Sequence, residues 1–321
     1  MGYKIIVTDD RFGSYEEEKV VLSPLGAEIE VMNLQNQEEA AAVLKDADGI
    51  LVNLFPLSAQ LIGSLDKCRI ISRYGVGYDN VDVRAATKAG IHVARVPDYA
   101  TEDVSDHAAA LLLACVRKLS YRDRRVREGG WDLNKEQTSQ RVRGKVLGLI
   151  GFGRIGTALH RKLSGFCLAE VLVCDPYIDP AQIRQAGAVP ATLERLLTES
   201  DYVSVHAPLS GETRGLIGKD ELALMKSSAI LINTARGPLI DEAALTAALS
   251  SGLLHYAGLD VFHSEPLAVD NPLMKLDNVI LSDHAGWYSE ESKAELKTRA
   301  AENIAAVLRG GRPVYPVNTL E

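Results

Sequence analysis

Three residues are best equipped for chemistry: Arg236 at the end of "AILINTARG", Glu265 in "GLDVFHSEP" and His284 in "ILSDHAGW", each just past a short apolar run. A guanidinium offers a planar fork that suits a carboxylate. An imidazole exchanges a proton near neutral pH, and a carboxylate beside it favours its charged form. Singly, each has an ordinary explanation: a surface ion pair for Arg236, a loop acid before Pro266, a hydrogen-bonded structural histidine at a strand end. A fourth feature gives the set its weight.

That feature is "VLGLIGFGRIGTAL", with Gly151, Gly153 and Gly156 in G-x-G-x-x-G spacing between an apolar strand pattern and an amphipathic helix pattern. Gly151 permits the tight turn, Gly153 lets the backbone approach a pyrophosphate, and Gly156 lets the helix pack close to its strand. The N–H groups of Arg154 and Ile155 would then open the helix and meet the phosphates. Asp175, closing the next strand in "VLVCDPY", stands where an acid accepts hydrogen bonds from the adenosine ribose. A carboxylate there repels a 2′-phosphate, so NAD is expected rather than NADP. The other reading is a glycine turn followed by an ordinary strand-end acid.

With a dinucleotide turn in the chain, the three side chains match what interconversion of a 2-keto acid and a 2-hydroxy acid requires. His284 would give a proton to the carbonyl oxygen as hydride reaches the carbon, Glu265 would pair with the imidazole, and Arg236 would hold the carboxylate and polarise the carbonyl. A second glycine pair, Gly75 and Gly77 in "SRYGVGYDNVD", follows another strand pattern. It is either a simple turn or a nest of N–H groups for a small anion.

The elements that must position these residues alternate along the whole chain. "KIIVTD", "EIEVM", "GILVN", "RIISR" and "HVARV" read as strands, separated by the helical "SYEEEKVVLSPL", "QEEAAAVLK", "SAQLIGSL" and "DVRAATKAG". A single long helix is expected from about Thr101 to Glu128, broken by "GGWDL". A second series starts at "KVLGLIGFG" and continues through "EVLVCD", "YVSVHA", "AILINTA", "YAGLDVF" and "NVILSDH" to a last helix closing at Gly310 and Gly311. Alternation of this kind implies parallel strands with crossover helices. We expect an α/β chain of two doubly wound parallel-sheet domains with a cleft between them. Residues 1–100 plus 290–321 would form the substrate domain and 101–289 the NAD-binding Rossmann domain. Hinges are expected near Tyr99–Thr101 and Tyr288–Ser289.

Composition narrows the alternatives. The 321 residues are 46% hydrophobic and 24% charged, ordinary for a globular protein, and the net charge of -8 disfavours nucleic acid or acidic membranes as partners. The basic run "RKLSYRDRRVR" is interrupted by Asp123 and reads as a solvated or subunit-contacting helix face. Cys68, Cys115, Cys167 and Cys174 show no C-x-x-C spacing, which suits free thiols in a reducing cytoplasm. No H-E-x-x-H points to a metal, no apolar run is long enough to span a bilayer, and "MGYKIIVTDD" enters a strand pattern directly, so no signal peptide is expected.

The chain resembles the D-isomer-specific 2-hydroxyacid dehydrogenase family through "YGVGYDNVD", "GLIGFGRIG" with "DPY", "HAPLSGETRGLI", "INTARGPLIDEAAL", "GLDVFHSEP" and "DHAGWYS", in that order over nearly its whole length. The resemblance implies a flavodoxin-like substrate domain and an NAD-binding Rossmann domain. It makes Arg236 the substrate-binding arginine, Glu265 and His284 the acid and the proton donor, and the backbone at Val76 and Gly77 the carboxylate loop. It puts Asp260 on the nicotinamide carboxamide, His206 and Thr213 on the cofactor side, and Thr234 and Ala235 against the nicotinamide. It also implies a homodimer through the cofactor domain, with the helix from Thr101 and the segment after Gly129, including Trp131, as the contact.

Departures bear on substrate choice. Asp283 precedes the histidine where Pro is usual, Asp106 replaces the more usual Glu, and Glu102 is expected near the pocket. "HAGWYSEES" is most similar to the carboxy-terminal binding protein branch, NAD-binding corepressors in which the Trp after the histidine lines the pocket; Trp287 would do so here, or pack at the hinge. Two alternatives to a general 2-hydroxyacid dehydrogenase follow. One is a dinucleotide-sensing corepressor-like binding protein. The other is a phosphoglycerate dehydrogenase, in which Arg73 beside the anion loop would meet a phosphate.

Overall fold

Apolar runs such as GILV and VLGLI, buried at nearly every position, can only belong to strands covered on both faces, and they do. The computed structural model describes residues 2–131 and 138–320, and the chain divides into two compact units, Met1–Tyr99 with Ser289–Glu321 and Ala100–Tyr288.

The first unit alternates β1 (Tyr3–Val7), α1 (Glu16–Leu22), β2 (Ala27–Val31), α2 (Gln37–Leu44), β3 (Gly49–Val52), α3 (Ala59–Ile62), β4 (Ile70–Arg73), α4 (Val83–Lys88) and β5 (His92–Ala94). Its five strands are all parallel in the order β2-β1-β3-β4-β5, the flavodoxin-like winding. Ile6, Ile50, Val52, Ile71 and Val93 form the centre of its core.

The second unit opens with α5 (Thr101–Arg117) and α6 (Leu119–Arg127). These are two helices where one was expected. The break is at Lys118, whose backbone is left-handed (φ 57°, ψ 37°). The turn carries its ammonium inside, 2.9 Å from Nε2 of His255 and 3.9 Å above the Tyr256 ring, with the residue 1% exposed. Burial pulls that amine down to about 8. No glycine or proline marks the break, so local sequence carried no signal of it.

The unit continues with β6 (Val146–Ile150), α7 (Arg154–Leu163), β7 (Glu170–Cys174), α8 (Pro180–Gln185), β8 (Val189–Pro190), α9 (Leu193–Glu199), β9 (Tyr202–Val205), α10 (Lys219–Leu224), β10 (Ile230–Asn233), α11 (Glu242–Ser251), β11 (Tyr256–Leu259) and β12 (Val279–Leu281). The seven parallel strands lie in the order β12-β11-β10-β9-β6-β7-β8, so the winding reverses between β6 and β9. Ligands of open α/β sheets bind outside the carboxyl ends of strands at such a reversal. The two-residue β8 was not anticipated; its Pro190 is tolerated because it sits on the sheet edge. The chain then returns to the first unit, where α12 (Glu290–Leu308) packs on α1, β3 and β4.

Candidate active site

The glycine turn lies at the winding reversal of the second unit. Gly151 follows β6 with φ 93°, and a Cβ there would come within 2.8 Å of the Ala207 nitrogen and 2.9 Å of the His206 oxygen, just past β9. A Cβ on Gly156 would meet the Gly151 oxygen at 2.4 Å, so α7 is pressed against the turn. Gly153 is the N-cap of α7, whose first residues are Arg154 and Ile155; no side chain caps the helix, and nothing lies within 4 Å of where a Gly153 Cβ would be. This open, uncapped helix start is what a pyrophosphate needs. Asp175 follows β7 and is oriented from both sides: Oδ2 accepts the Phe152 N–H at 2.8 Å and Oδ1 accepts the Tyr177 N–H at 2.9 Å. Lone pairs remain on both oxygens for a ribose. These features fit a dinucleotide.

The remaining cofactor candidates divide. His206 follows β9, with Nε2 2.9 Å from Ser204 Oγ and a buried Nδ1 that has no partner; burial holds this imidazole down to about 4, hence neutral at pH 7. Thr234 is 8% exposed, and its hydroxyl is likewise buried without a partner. Two orphaned polar atoms beside the glycine turn and β10 are what a missing polar ligand would satisfy. Thr213, by contrast, spends its hydroxyl inside its own loop, donating to Pro208 O at 2.6 Å and accepting the Ser210 N–H at 2.8 Å.

Arg236, Glu265 and His284 sit past β10, β11 and β12. Asn233, buried at the end of β10, shapes the first turn: its Oδ1 accepts the Ala235 N–H at 3.0 Å and its Nδ2 donates to Arg236 O at 2.9 Å. Gly237 then brings this turn against the next loop, since a Cβ there would lie 1.9 Å from the Phe262 carbonyl carbon. Glu242, in the first turn of α11, holds that loop by accepting the His263 N–H at 2.9 Å and the Asn271 amide at 2.8 Å. Glu265 follows, with Oε1 accepting the Phe262 N–H at 3.0 Å and Oε2 2.6 Å from His284 Nδ1. Sequence reading passed over Asn233 and Glu242, although the N in "NTARG" stood in view.

Electrostatics follow from this geometry. Burial alone would raise the Glu265 carboxyl. The bond from His284, the imidazole's charge, the Phe262 N–H and the Arg236 guanidinium outweigh it and hold the carboxyl below its usual 4.5. An ionised carboxylate only accepts, so Nδ1 of His284 carries a hydrogen. Nε2 is then the ring nitrogen left to give or take a proton. The His284 backbone is itself unusual, left-handed at φ 57°, with its N–H bonded to Asp260 O at 2.9 Å.

Asp260 is 1% exposed, and its carboxylate accepts the Ala285 N–H at 3.0 Å, the Gly286 N–H at 2.9 Å and the Ser282 hydroxyl at 2.7 Å. Trp287 stands edge-on to Tyr288, ring centroids 5.6 Å apart. Asp283 is exposed, and the ion pair of His284 is with Glu265. Glu102 pairs with Arg161 at 2.7 Å and Lys162 at 3.0 Å, and Asp106 with Lys162 at 2.6 Å, so both acids tie α5 to α7. In the first unit, Val76 and Gly77 follow β4; Val76 is 37% exposed, and its carbonyl accepts from Arg95 at 3.4 Å.

Comparisons with known proteins bear on the family and the fold. The profile described as "D-isomer specific 2-hydroxyacid dehydrogenase, NAD binding domain" matches residues 109–286. A glyoxylate reductase of Korarchaeum cryptofilum is 42% identical over 86% of this chain and 84% of its own length. A D-3-phosphoglycerate dehydrogenase of Methanocaldococcus jannaschii is 38% identical over 96% of this chain, which spans 58% of that longer protein. The crystal structure of Aquifex aeolicus D-lactate dehydrogenase complexed with NAD and lactic acid superposes with a TM-score of 0.87 at 28% identity, covering 95% of this chain and 96% of that one. A fold wound this way, over this much of its length, carries one conclusion: the chain belongs to the D-isomer-specific 2-hydroxyacid dehydrogenases, NAD-dependent oxidoreductases of 2-hydroxy acids.

Proposed function

We propose that the chain reduces a small 2-keto acid of the glyoxylate type to its 2-hydroxy acid, with His284 as proton donor. The observation that carries this is the 2.6 Å contact between His284 Nδ1 and Glu265 Oε2, which leaves Nε2 as the donating atom. Glu265 keeps Nδ1 protonated and balances the imidazolium before transfer. Arg236 binds the substrate carboxylate and polarises its carbonyl. The dinucleotide, when bound, supplies the hydride. Gly151, Gly153, Arg154, Ile155 and Gly156 would cradle its pyrophosphate, Asp175 its adenosine ribose, and His206, Thr234 and Ala235 its nicotinamide half. The Asp175 carboxylate favours NAD by repelling a 2′-phosphate.

The glyoxylate reading is supported by the 42% identity to a reductase of nearly equal length, against 38% to a phosphoglycerate dehydrogenase of which this chain spans 58%. Trp287 is proposed to border the substrate, and the exposed turn at Val76 and Gly77 to offer N–H groups to its carboxylate. A homodimer is proposed through the second unit. Leu119 (56% exposed), Val126 (54%) and Trp131 (89%) are apolar side chains left in water there. Residues 132–137 of that candidate contact lie outside the described residues. The test of function is NADH oxidation against glyoxylate, hydroxypyruvate, pyruvate and 3-phosphohydroxypyruvate. Turnover on glyoxylate with the highest kcat/KM is expected; preference for the phosphorylated acid, or no turnover, overturns the reading.

A further inference from the structure

His107 lies on α5, far from the reacting residues in sequence. Its Nε2 is 2.9 Å from Ser282 Oγ and 3.3 Å from Asp260 Oδ1. Ser282 donates its one hydroxyl hydrogen to Asp260 Oδ1 at 2.7 Å, so toward His107 the hydroxyl can only accept. The direction of the chain is therefore fixed: His107 Nε2–H to Ser282 Oγ, Ser282 O–H to Asp260. Asp260 in turn takes the N–H groups of Ala285 and Gly286, while its own carbonyl takes the N–H of His284.

These bonds grip both sides of a turn whose central residue is held left-handed. A non-glycine residue at positive φ costs energy and persists only where surroundings impose it. The space is also closed. A Cβ on Gly286 would lie 2.8 Å from Asp260 Oδ2 and 3.3 Å from His107 Cδ2, so imidazole, carboxylate and turn backbone are in close contact. Burial alone would raise the Asp260 carboxyl; bonds from His107, Ser282 and the Gly286 N–H hold it below 3.8 instead. The acid is thus an anion largely committed to the turn.

We propose that His107 is a positioning residue for the reaction: through Ser282 and Asp260 it fixes the turn that aims His284. This rests on His284 being the proton donor. His107 touches neither substrate nor the reacting atoms. Loss of its donor lets the turn relax, and misplacing the imidazole by about 1 Å costs on the order of a hundredfold in rate.

The test compares His107→Leu, which removes the donor, with His107→Gln, whose amide nitrogen reaches about the Nε2 position. Three readouts are taken: kcat and KM for glyoxylate, the Kd of NADH by fluorescence, and the ring signal of His284 in 13C-histidine-labelled protein, assigned with His284→Gln. We expect His107→Leu to lower kcat about 10- to 100-fold with NADH Kd within about threefold, and to shift the His284 ring signal. His107→Gln should restore kcat to within about threefold of the parent. The proposal is overturned if both variants lose kcat equally, if NADH affinity falls in parallel with kcat, or if the His284 signal is unmoved in His107→Leu. Full activity of His284→Gln would instead defeat the proton-donor reading, and the ring signal in His107→Leu would still report on whether His107 holds the turn.

Discussion

Nδ1 of His284 and Oε2 of Glu265 lie 2.6 Å apart, although the two residues come from loops after different strands of one sheet. The pair is only partly open to water, with side chains 19% and 23% exposed. An acid so placed keeps the hydrogen on Nδ1 and leaves Nε2 for proton transfer. Replacing it by the neutral isostere, Glu265→Gln, should lower kcat on the order of a hundredfold while changing NADH affinity little. Steady-state kinetics beside a fluorescence titration checks both halves.

The same pair predicts a pH dependence of stability. The folded Glu265 carboxyl titrates below its usual 4.5, so its contribution is present above that value and is lost as pH falls through the lower, folded one. The melting temperature of the parent should exceed that of Glu265→Gln at pH 7, and the gap should narrow on acidification below the usual 4.5. A gap that widens toward acid would mean the carboxyl is not stabilised as an anion.

His206 has the opposite consequence. Its imidazole titrates at about 4 instead of 6.5, so the unfolded chain binds a proton more readily over that window. The cost to the fold is absent above 6.5 and complete below about 4. A His206→Gln variant should therefore lose less stability than the parent between pH 7 and pH 4.5, measured by urea titration at each pH.

Cofactor choice should turn on Asp175, whose carboxylate is aimed by the N–H groups of Phe152 and Tyr177. Asp175→Ser removes the charge that opposes a 2′-phosphate. The kcat/KM ratio for NADPH over NADH should rise about 10- to 100-fold, or roughly 1.4–3 kcal/mol. An unchanged ratio would place the discrimination elsewhere.

Asn233 makes the Arg236 turn, so Asn233→Ala leaves the part-buried Ala235 N–H without its acceptor and Arg236 O with only the Leu239 N–H. A loss of about 1–3 kcal/mol in unfolding free energy is expected. It should come with a raised KM for the keto acid, because the guanidinium is no longer held.

Much of this was legible in the sequence, for physical reasons. Strands buried on both faces must be apolar throughout, so "GILV" and "VLGLI" announced themselves, and the glycines of the turn were required by close approach at 151 and 156. Arg236, Glu265 and His284 stood out as a set because each follows a strand of one sheet. What escaped notice depends on partners distant in the chain. Lys118 breaks a helix without glycine or proline because its ammonium is drawn to His255 and Tyr256. The bonds of the Asp260 carboxylate to the turn around His284 were not legible, and His107 is 175 positions from the Ser282 it meets. The ion pairs of Glu102 with Arg161 and Lys162 on α7 were equally out of view.

The proton-donor role of His284 is tested most directly by single-turnover oxidation of bound NADH with saturating glyoxylate in His284→Gln. We predict a rate at least about a thousandfold below the parent, with NADH Kd within about threefold. A variant that still turns over within about threefold of the parent rate would contradict the account.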